Sequence, residues 1–265
     1  MVKGLYTAYT GMINQMNRLD VLTNNLANSA TTGFKKEGAT TQSFDAMYTF
    51  RIKDESSYNL ARRIGSMSLG AKIGENYTDF DQGSFRETEN LTDFALGGRG
   101  FFAIAYTNKA GETSMKFTRD GGFVINTDGY LVTKDGDYVL NRNAALNGNT
   151  GEAGYIRVDP TKPILVDSYG RIYQDDVQVA DIGVIDVADY NYIEHFGENL
   201  YQLHNGGQIV DGTAQVYQGV LEMSNVNVVN EMVQMINVTR AYESNQKVIQ
   251  SIDTTLEKAV NLGKV

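Results

Sequence analysis

His195 and His204 are the only imidazoles in the chain. They stand nine residues apart with no acid or nucleophile at a telling distance, so neither a catalytic base nor a metal centre is predicted from them. Three aspartates, Asp128, Asp135 and Asp137, suggest calcium. An EF-hand loop, however, needs alternating oxygen ligands, a glycine at the sixth position and a glutamate at the twelfth. Counted from Asn126, Gly129 falls fourth; counted from Asp135, Leu146 falls twelfth. Two hairpin turns explain those residues instead. The glycines of GGRGFF, Gly97 to Phe102, lack the spacing of a phosphate-binding loop. With no cysteine, thiol nucleophiles, disulfides and thiolate metal sites are excluded. These residues predict no catalysis, no cofactor and no metal, and the chain is not expected to be an enzyme.

Amides carry a different chemistry. Asn24, Asn25 and Asn28 cluster within NNLANSATTGF, and Asn225, Asn227 and Asn230 within SNVNVVNEM, almost 200 residues later. An amide both donates and accepts without charge, so it can pair with a copy of itself on a neighbouring subunit where a charged group would repel its own copy. Buried polar groups can also fix helix register. Capping is the simpler reading: Asn24 to Asn28 end a helix ahead of Gly33, and Asn227 or Ser224 starts another.

The elements that position these clusters are two terminal helices. Leu5, Met12, Leu19 and Leu26 recur every seven residues, with Leu22 on the adjacent stripe. Val228, Met235, Tyr242, Ile249 and Leu256 do the same, flanked by Val238 and Ile252. This spacing predicts coiled-coil helices of ~38 Å and ~50 Å. Such helices are marginal alone in water, so each needs a partner, and each is the obvious partner of the other. Run antiparallel, they bring the two amide clusters to one height.

Between them the texture changes. Asp-Gly or Asn-Gly pairs at 120, 128, 135, 147, 205 and 211 separate short β-prone runs such as FVIN, YVLN and IGVIDV, the pattern of hairpins. The fold class expected is α+β: an antiparallel coiled coil of N- and C-terminal helices plus a central all-β domain. The expected divisions are 1–30 with 225–265 as the helical assembly domain, 31–84 as an extended or loop connection, and 85–224 as the β domain. Within the connection, TTGFKKEGATTQSFDAMYTF looks extended after Gly33, and RIKDESSYNLARRIGSMSLGAKIG reads as a long loop or a hairpin.

Charge follows the same division. The net charge is −9, yet residues 1–30 carry Lys3, Arg18 and Asp20, and residues 225–265 carry four basic and four acidic groups. The acidity therefore lies in the middle, and the nearly neutral ends suit burial rather than solvated tails. No basic face is present to track nucleic acid. The longest apolar run, FFAIAY, is far short of a membrane span, so membrane insertion is not expected. No secretory signal peptide is legible at the start.

LYTAYTGM…LDVLTNNLANSATTGFK (Leu5 to Lys35) and GVLEMSNVNVVNEMVQMINVTRAYESNQKVIQSID (Gly219 to Asp253) resemble the terminal signatures of flagellar rod and hook proteins. DFDQGSFRETENLTDFALGGRGFFAI and FTRDGGFVINTDGYLVTKDGDYVL are similar to the β domain of that family. The length and single central domain resemble a rod subunit, distal or proximal. The resemblance implies a structural subunit of the flagellar basal-body rod, in the cell envelope or periplasm, that self-assembles into a helical tube and transmits torque from motor to hook. It implies as partners copies of itself, neighbouring rod and hook proteins, and the flagellar type III export apparatus, with export without a cleaved signal peptide. A hook subunit is the alternative, as is a β module that binds an envelope component and is oligomerised by its helices. The residues expected to carry assembly are Leu5, Met12, Leu19, Leu22, Asn24, Asn25, Leu26, Asn28, Asn225, Asn227, Asn230, Met235, Tyr242, Ile249, Ile252 and Leu256.

Overall fold

The computed structural model describes residues 2–51, 62–197 and 199–262. The chain opens with helix α1 (Val2–Ala27), followed by β1 (Glu37–Ser43), β2 (Met47–Arg51), β3 (Arg62–Met67) and β4 (Ala71–Thr78). Then come β5 (Phe85–Glu87), β6 (Phe94–Gly97), β7 (Phe101–Thr107), β8 (Thr113–Thr118), β9 (Val124–Ile125), β10 (Leu131–Val132) and β11 (Tyr138–Val139). A short helix α2 (Arg142–Asn147) precedes β12 (Leu165–Val166), β13 (Arg171–Gln174), β14 (Val177–Asp181) and β15 (Val184–Val187). The chain closes through β16 (Ile193–Phe196), β17 (Leu200–Leu203), β18 (Ile209–Asp211), β19 (Gln215–Gln218), β20 (Val220–Glu222) and helix α3 (Val228–Leu262). The class is α+β, with a helix at each end and a β-rich middle. Two compact units are present: Met1–Ala27, Lys36–Asp79 and Val226–Val265 form the first, and Asn28–Lys35 and Phe80–Asn225 the second.

In the first unit, neither helix contains proline. Asn227 caps α3: its Oδ1 accepts from the Asn230 N–H at 3.1 Å, and its carbonyl from the Glu231 N–H at 3.0 Å. The helices run antiparallel. A Cβ on Gly4 would lie 3.9 Å from Ile252 Cδ1, a Cβ on Gly11 would lie 3.1 Å from Asn245 Nδ2, and Asn25 bonds to Glu231. Seven residues separate Gly4 from Gly11, and seven separate Ile252 from Asn245; fourteen separate Gly11 from Asn25, and fourteen separate Asn245 from Glu231. Each step forward on α1 thus matches one step back on α3, without a slip. Glycine within a helix costs about 1 kcal/mol relative to alanine; at Gly11 it leaves room for the Asn245 side chain.

Residues 36–79, expected to be an extended or loop connection, are paired strands of this same unit. β1 and β4 pair antiparallel from Glu37–Thr78 to Ser43–Ala71, with a bulge between Ala39 and Thr41. β2 and β3 continue the arm from Met47–Met67 to Arg51–Arg62. The Asn14 amide of α1 donates to Thr41 Oγ1 of β1 at 3.2 Å. Residues 52–61, within RIKDESSYNLARRIG, lie outside the described residues. The extended reading of this stretch fits β1 and β2, but the β1–β4 pairing was not legible, because β1 (EGATTQS) is mostly exposed on its outer half and carries no apolar alternation.

In the second unit the largest sheet has the order β16-β17-β8-β7-β11-β10-β9, with β15 pairing both β7 and β18. Strand β7 is buried on both faces. Phe102 enters a core with Phe94, Leu96, Phe123 and Leu131, while Phe101, Ala103 and Ala105 enter a second with Phe117, Leu140 and Tyr201. Double burial explains why FFAIAY is continuously apolar instead of alternating. Phe102 meets Phe123 edge-on at 5.2 Å between ring centres, a favourable aromatic geometry.

The turn dipeptides divide. Asp128-Gly129 and Asp135-Gly136 join β9 to β10 and β10 to β11, with both glycines at positive φ. Asn147-Gly148 instead ends α2, Gly148 taking the left-handed cap. Asn205-Gly206 bends the chain between β17 and β18, which pair with other strands. Such a dipeptide specifies a local bend; which strands it joins is set by packing.

Candidate assembly interface

The structure distributes the expected assembly residues along the α1–α3 pairing. Leu22 is buried; Leu5, Met12, Leu19 and Leu26 are half-buried, as are Met235, Tyr242, Ile249 and Ile252, and Leu256 is exposed. One partner helix therefore covers these stripes only in part. Other apolar side chains on the same helices are open to solvent: Tyr6, Tyr9 and Met16 on α1, and Val229, Met232, Val233 and Ile236 on α3.

The amides play several local parts. Asn25 is fully buried, and its side chain is engaged inside the unit. Its Oδ1 accepts from the Glu37 N–H at 2.9 Å, and its Nδ2 donates to the Glu37 carbonyl at 2.7 Å and to Glu231 Oε2 at 3.3 Å. The amide thereby stands in for a neighbouring strand against β1 while tying the end of α1 to the start of α3. Glu231, fully buried, also receives Lys36 Nζ at 2.5 Å. Asn227 is the α3 cap described above. Asn28 accepts from Thr31 Oγ1 at 3.3 Å, and Asn225 donates to the Asp81 carbonyl at 3.1 Å, both within the second unit. Asn24 and Asn230 are exposed. At the level where the helix ends meet, the partner of the Asn25 amide is a carboxylate rather than a second amide.

Three charged residues that sequence reading passed over are buried together in the second unit. Lys35 and Glu222 are fully buried and Arg119 nearly so. Glu222 Oε1 receives Lys35 Nζ at 2.6 Å and the Gly83 N–H at 3.0 Å, and Oε2 receives Arg119 at 3.2 Å. Lys35 also donates to the Asp81 carbonyl, and Arg119 to the Gly98 carbonyl, each at 2.8 Å. The Glu222 carbonyl accepts from the Gly33 N–H at 2.8 Å. One carboxylate thus fastens the 28–35 segment, the 80–83 segment and β20 together. Two of them sit beside apolar residues in sequence, in Phe34-Lys35 and Leu221-Glu222-Met223, a signal that marks them, whereas Arg119 stands between Thr118 and Asp120 and carries none. Buried charges persist only when paired and hydrogen-bonded. These groups hold parts of one chain together.

Comparison with known proteins agrees with this architecture. Residues 5–35, which hold most of α1, match a family model described as flagella basal body rod protein. Residues 95–187 match the flagellar hook protein FlgE/F/G D1 domain, and residues 217–262, which hold β20 and α3, match the flagellar basal body rod FlgEFG protein C-terminal model. The flagellar basal-body rod protein FlgG of Buchnera aphidicola subsp. Schizaphis graminum is 32% identical over 279 residues, covering 99% of this chain and 100% of the relative. FlgG of Bacillus subtilis is 33% identical over 277 residues, covering 99% of both chains. The flagellar basal-body rod protein FlgF of Caulobacter vibrioides is 33% identical over 264 residues, covering 97% of this chain and 98% of the relative. With the two terminal helices and the β-rich middle each matched, and relatives aligned end to end, the chain belongs to the flagellar basal-body rod protein family and is a structural rod subunit of the flagellum.

Proposed function

We propose that this subunit polymerises into a helical tube that carries torque from motor to hook, and that α1 and α3 pair as an antiparallel coiled coil forming the polymer's inner contacts. The division into a helical assembly domain and a β domain, and the assembly role of Leu5, Met12, Leu19, Leu22 and Leu26 with Met235, Tyr242, Ile249, Ile252 and Leu256, belong to this proposal. The carrying observation is the apolar surface that a single helix pair leaves uncovered: Val229, Met232, Val233 and Ile236 remain exposed on α3. Large open apolar surface on a soluble chain marks an interaction face. The unbroken step-for-step contacts from Gly4–Ile252 to Asn25–Glu231 support the coiled-coil reading.

The proposed partners are further copies, neighbouring rod and hook proteins, and the flagellar type III export apparatus. The proposed location is the cell envelope or periplasm, reached without a cleaved signal peptide. Nearly neutral ends that order fully only on association suit this route, because a segment that folds on binding meets its ordering cost at that moment.

The test is polymerisation of purified protein at high concentration, read by negative-stain electron microscopy and pelleting. The unaltered chain is expected to form tubes or filaments. Leu19→Asp or Ile249→Asp, each setting a carboxylate into the α1–α3 seam, is expected to abolish them while the β-rich unit keeps its near-UV dichroism. Normal polymerisation by both variants would remove the seam from the mechanism.

A further inference from the structure

We infer that the pocket beside α2, in the β-rich unit, is a binding site for a neutral sugar ring, held by carboxamides. It needs no second copy of the chain and does not depend on polymerisation.

The pocket has a volume of about 230 Å³, and four asparagines line it: Asn141, Asn143, Asn147 and Asn149. The rest of its lining is small and uncharged, from Ala144, Ala153 and Gly154. Helix α2 sets Asn143 and Asn147 one turn apart on a single face, and the 149–154 segment supplies the facing wall.

Bonds within the chain hold these walls in place. Asn141 is fully used: its Oδ1 accepts from the Ala144 N–H at 2.8 Å, and its Nδ2 donates to the Ala153 carbonyl at 3.3 Å. Asn149 Oδ1 accepts from the Gly151 N–H at 3.0 Å. The Tyr155 hydroxyl donates to the Thr150 carbonyl at 3.1 Å, and its ring stacks on Tyr138 at 4.2 Å between centres. A Cβ on Gly154 would come within 2.7 Å of Ala144 Cβ, so the glycine lets this wall lie against α2. A site held ready in this way loses little further freedom on binding.

The remaining amide atoms have no partner among the described residues. Asn147 Nδ2 donates to the Asn143 carbonyl at 2.8 Å, but Asn147 Oδ1 is left over, as are Asn149 Nδ2 and both polar atoms of the Asn143 side chain. All three residues are exposed. The pocket thus offers amide N–H donors and amide oxygen acceptors side by side, with no charge. An apolar occupant would leave these groups unpaired, which is costly. An ion would find no opposite charge in the lining, and the neighbouring Arg142 is already paired with Asp211. A hydroxyl donates and accepts at once, so a small ring carrying several hydroxyls is the chemistry that satisfies the lining. The ring could come from a free sugar or from a glycan chain.

The test is saturation-transfer NMR on the full-length protein, with N-acetylglucosamine and its β-1,4-linked trimer as probes. Transfer to the sugar protons is expected, with a dissociation constant in the millimolar range, because each amide contact is exchanged against one with water. Asn143→Ala removes no bond within the chain, and it is expected to weaken binding about tenfold, the loss of one or two hydrogen bonds. Ala153→Leu, which fills the pocket, is expected to abolish transfer while near-UV dichroism stays unchanged. Tighter binding of the trimer would assign the site to a glycan chain, and equal binding to a free sugar; both outcomes support a sugar site. No transfer with either probe, or transfer undiminished in both variants, would overturn it and leave the reading of the protein as a rod subunit untouched.

Discussion

Glu222→Ala is expected to cost the β-rich unit about 3–5 kcal/mol, the typical result of removing one partner from a buried ion pair. The substitution leaves Lys35 and Arg119 in the interior facing an empty place, and it deprives the Gly83 N–H of its acceptor. Water cannot reach to replace the carboxylate, since the Lys35 side chain is fully buried. For a unit of this size, each kcal/mol moves the melting temperature by about 2–4 °C, so a drop of about 6–20 °C is the expected readout in near-UV dichroism of the tyrosines. Lys35→Met tests the sign of the argument. The cluster holds two cations and one carboxylate, so losing Lys35 leaves Glu222 and Arg119 as a balanced pair, and the drop should be clearly smaller. Equal drops would mean that shape, not charge, is what the site requires.

Asn25→Asp should do comparable damage to the helical unit. The change alters one atom of the side chain and very little volume. It removes the donor that meets the Glu37 carbonyl at 2.7 Å and sets a second carboxylate within hydrogen-bonding distance of the buried Glu231. An orphaned carbonyl and two apposed buried anions together are expected to cost on the order of 4 kcal/mol. Thermal loss of far-UV helical signal should shift down, and amide protection in the first turns of α3 should fall. Asn25→Ala, which brings no new charge, should show a smaller loss. A null result for Asn25→Asp would mean that the link between α1 and α3 at this height contributes nothing to order.

The helices were legible in the sequence because a seven-residue apolar period survives whatever the helix packs against. The β-rich middle was legible from its turn dipeptides and short β-prone runs. The β1–β4 arm was not, because its Thr- and Gly-rich strands pair through backbone and carry no alternation. Of the candidate site, the stripes were visible and the pairings at their ends were not. Asn25 stood out as an amide, but its bonds to Glu37 and Glu231 join residues 12 and 206 positions away. Lys35, Arg119 and Glu222 are likewise brought together from three distant segments. One sequence shows the residue types but not such long-range choices of partner.

The unbroken register between α1 and α3 has a mechanical consequence. A Cβ on Gly11 would press on the Asn245 side chain at 3.1 Å, so α1 cannot creep along α3 by one or two residues without driving a bulkier side chain into the place Gly11 leaves open. The next equivalent seating is a full repeat away, a jump of about 10 Å. A pair built this way resembles a toothed rack, with one seating favoured over slips of one or two residues.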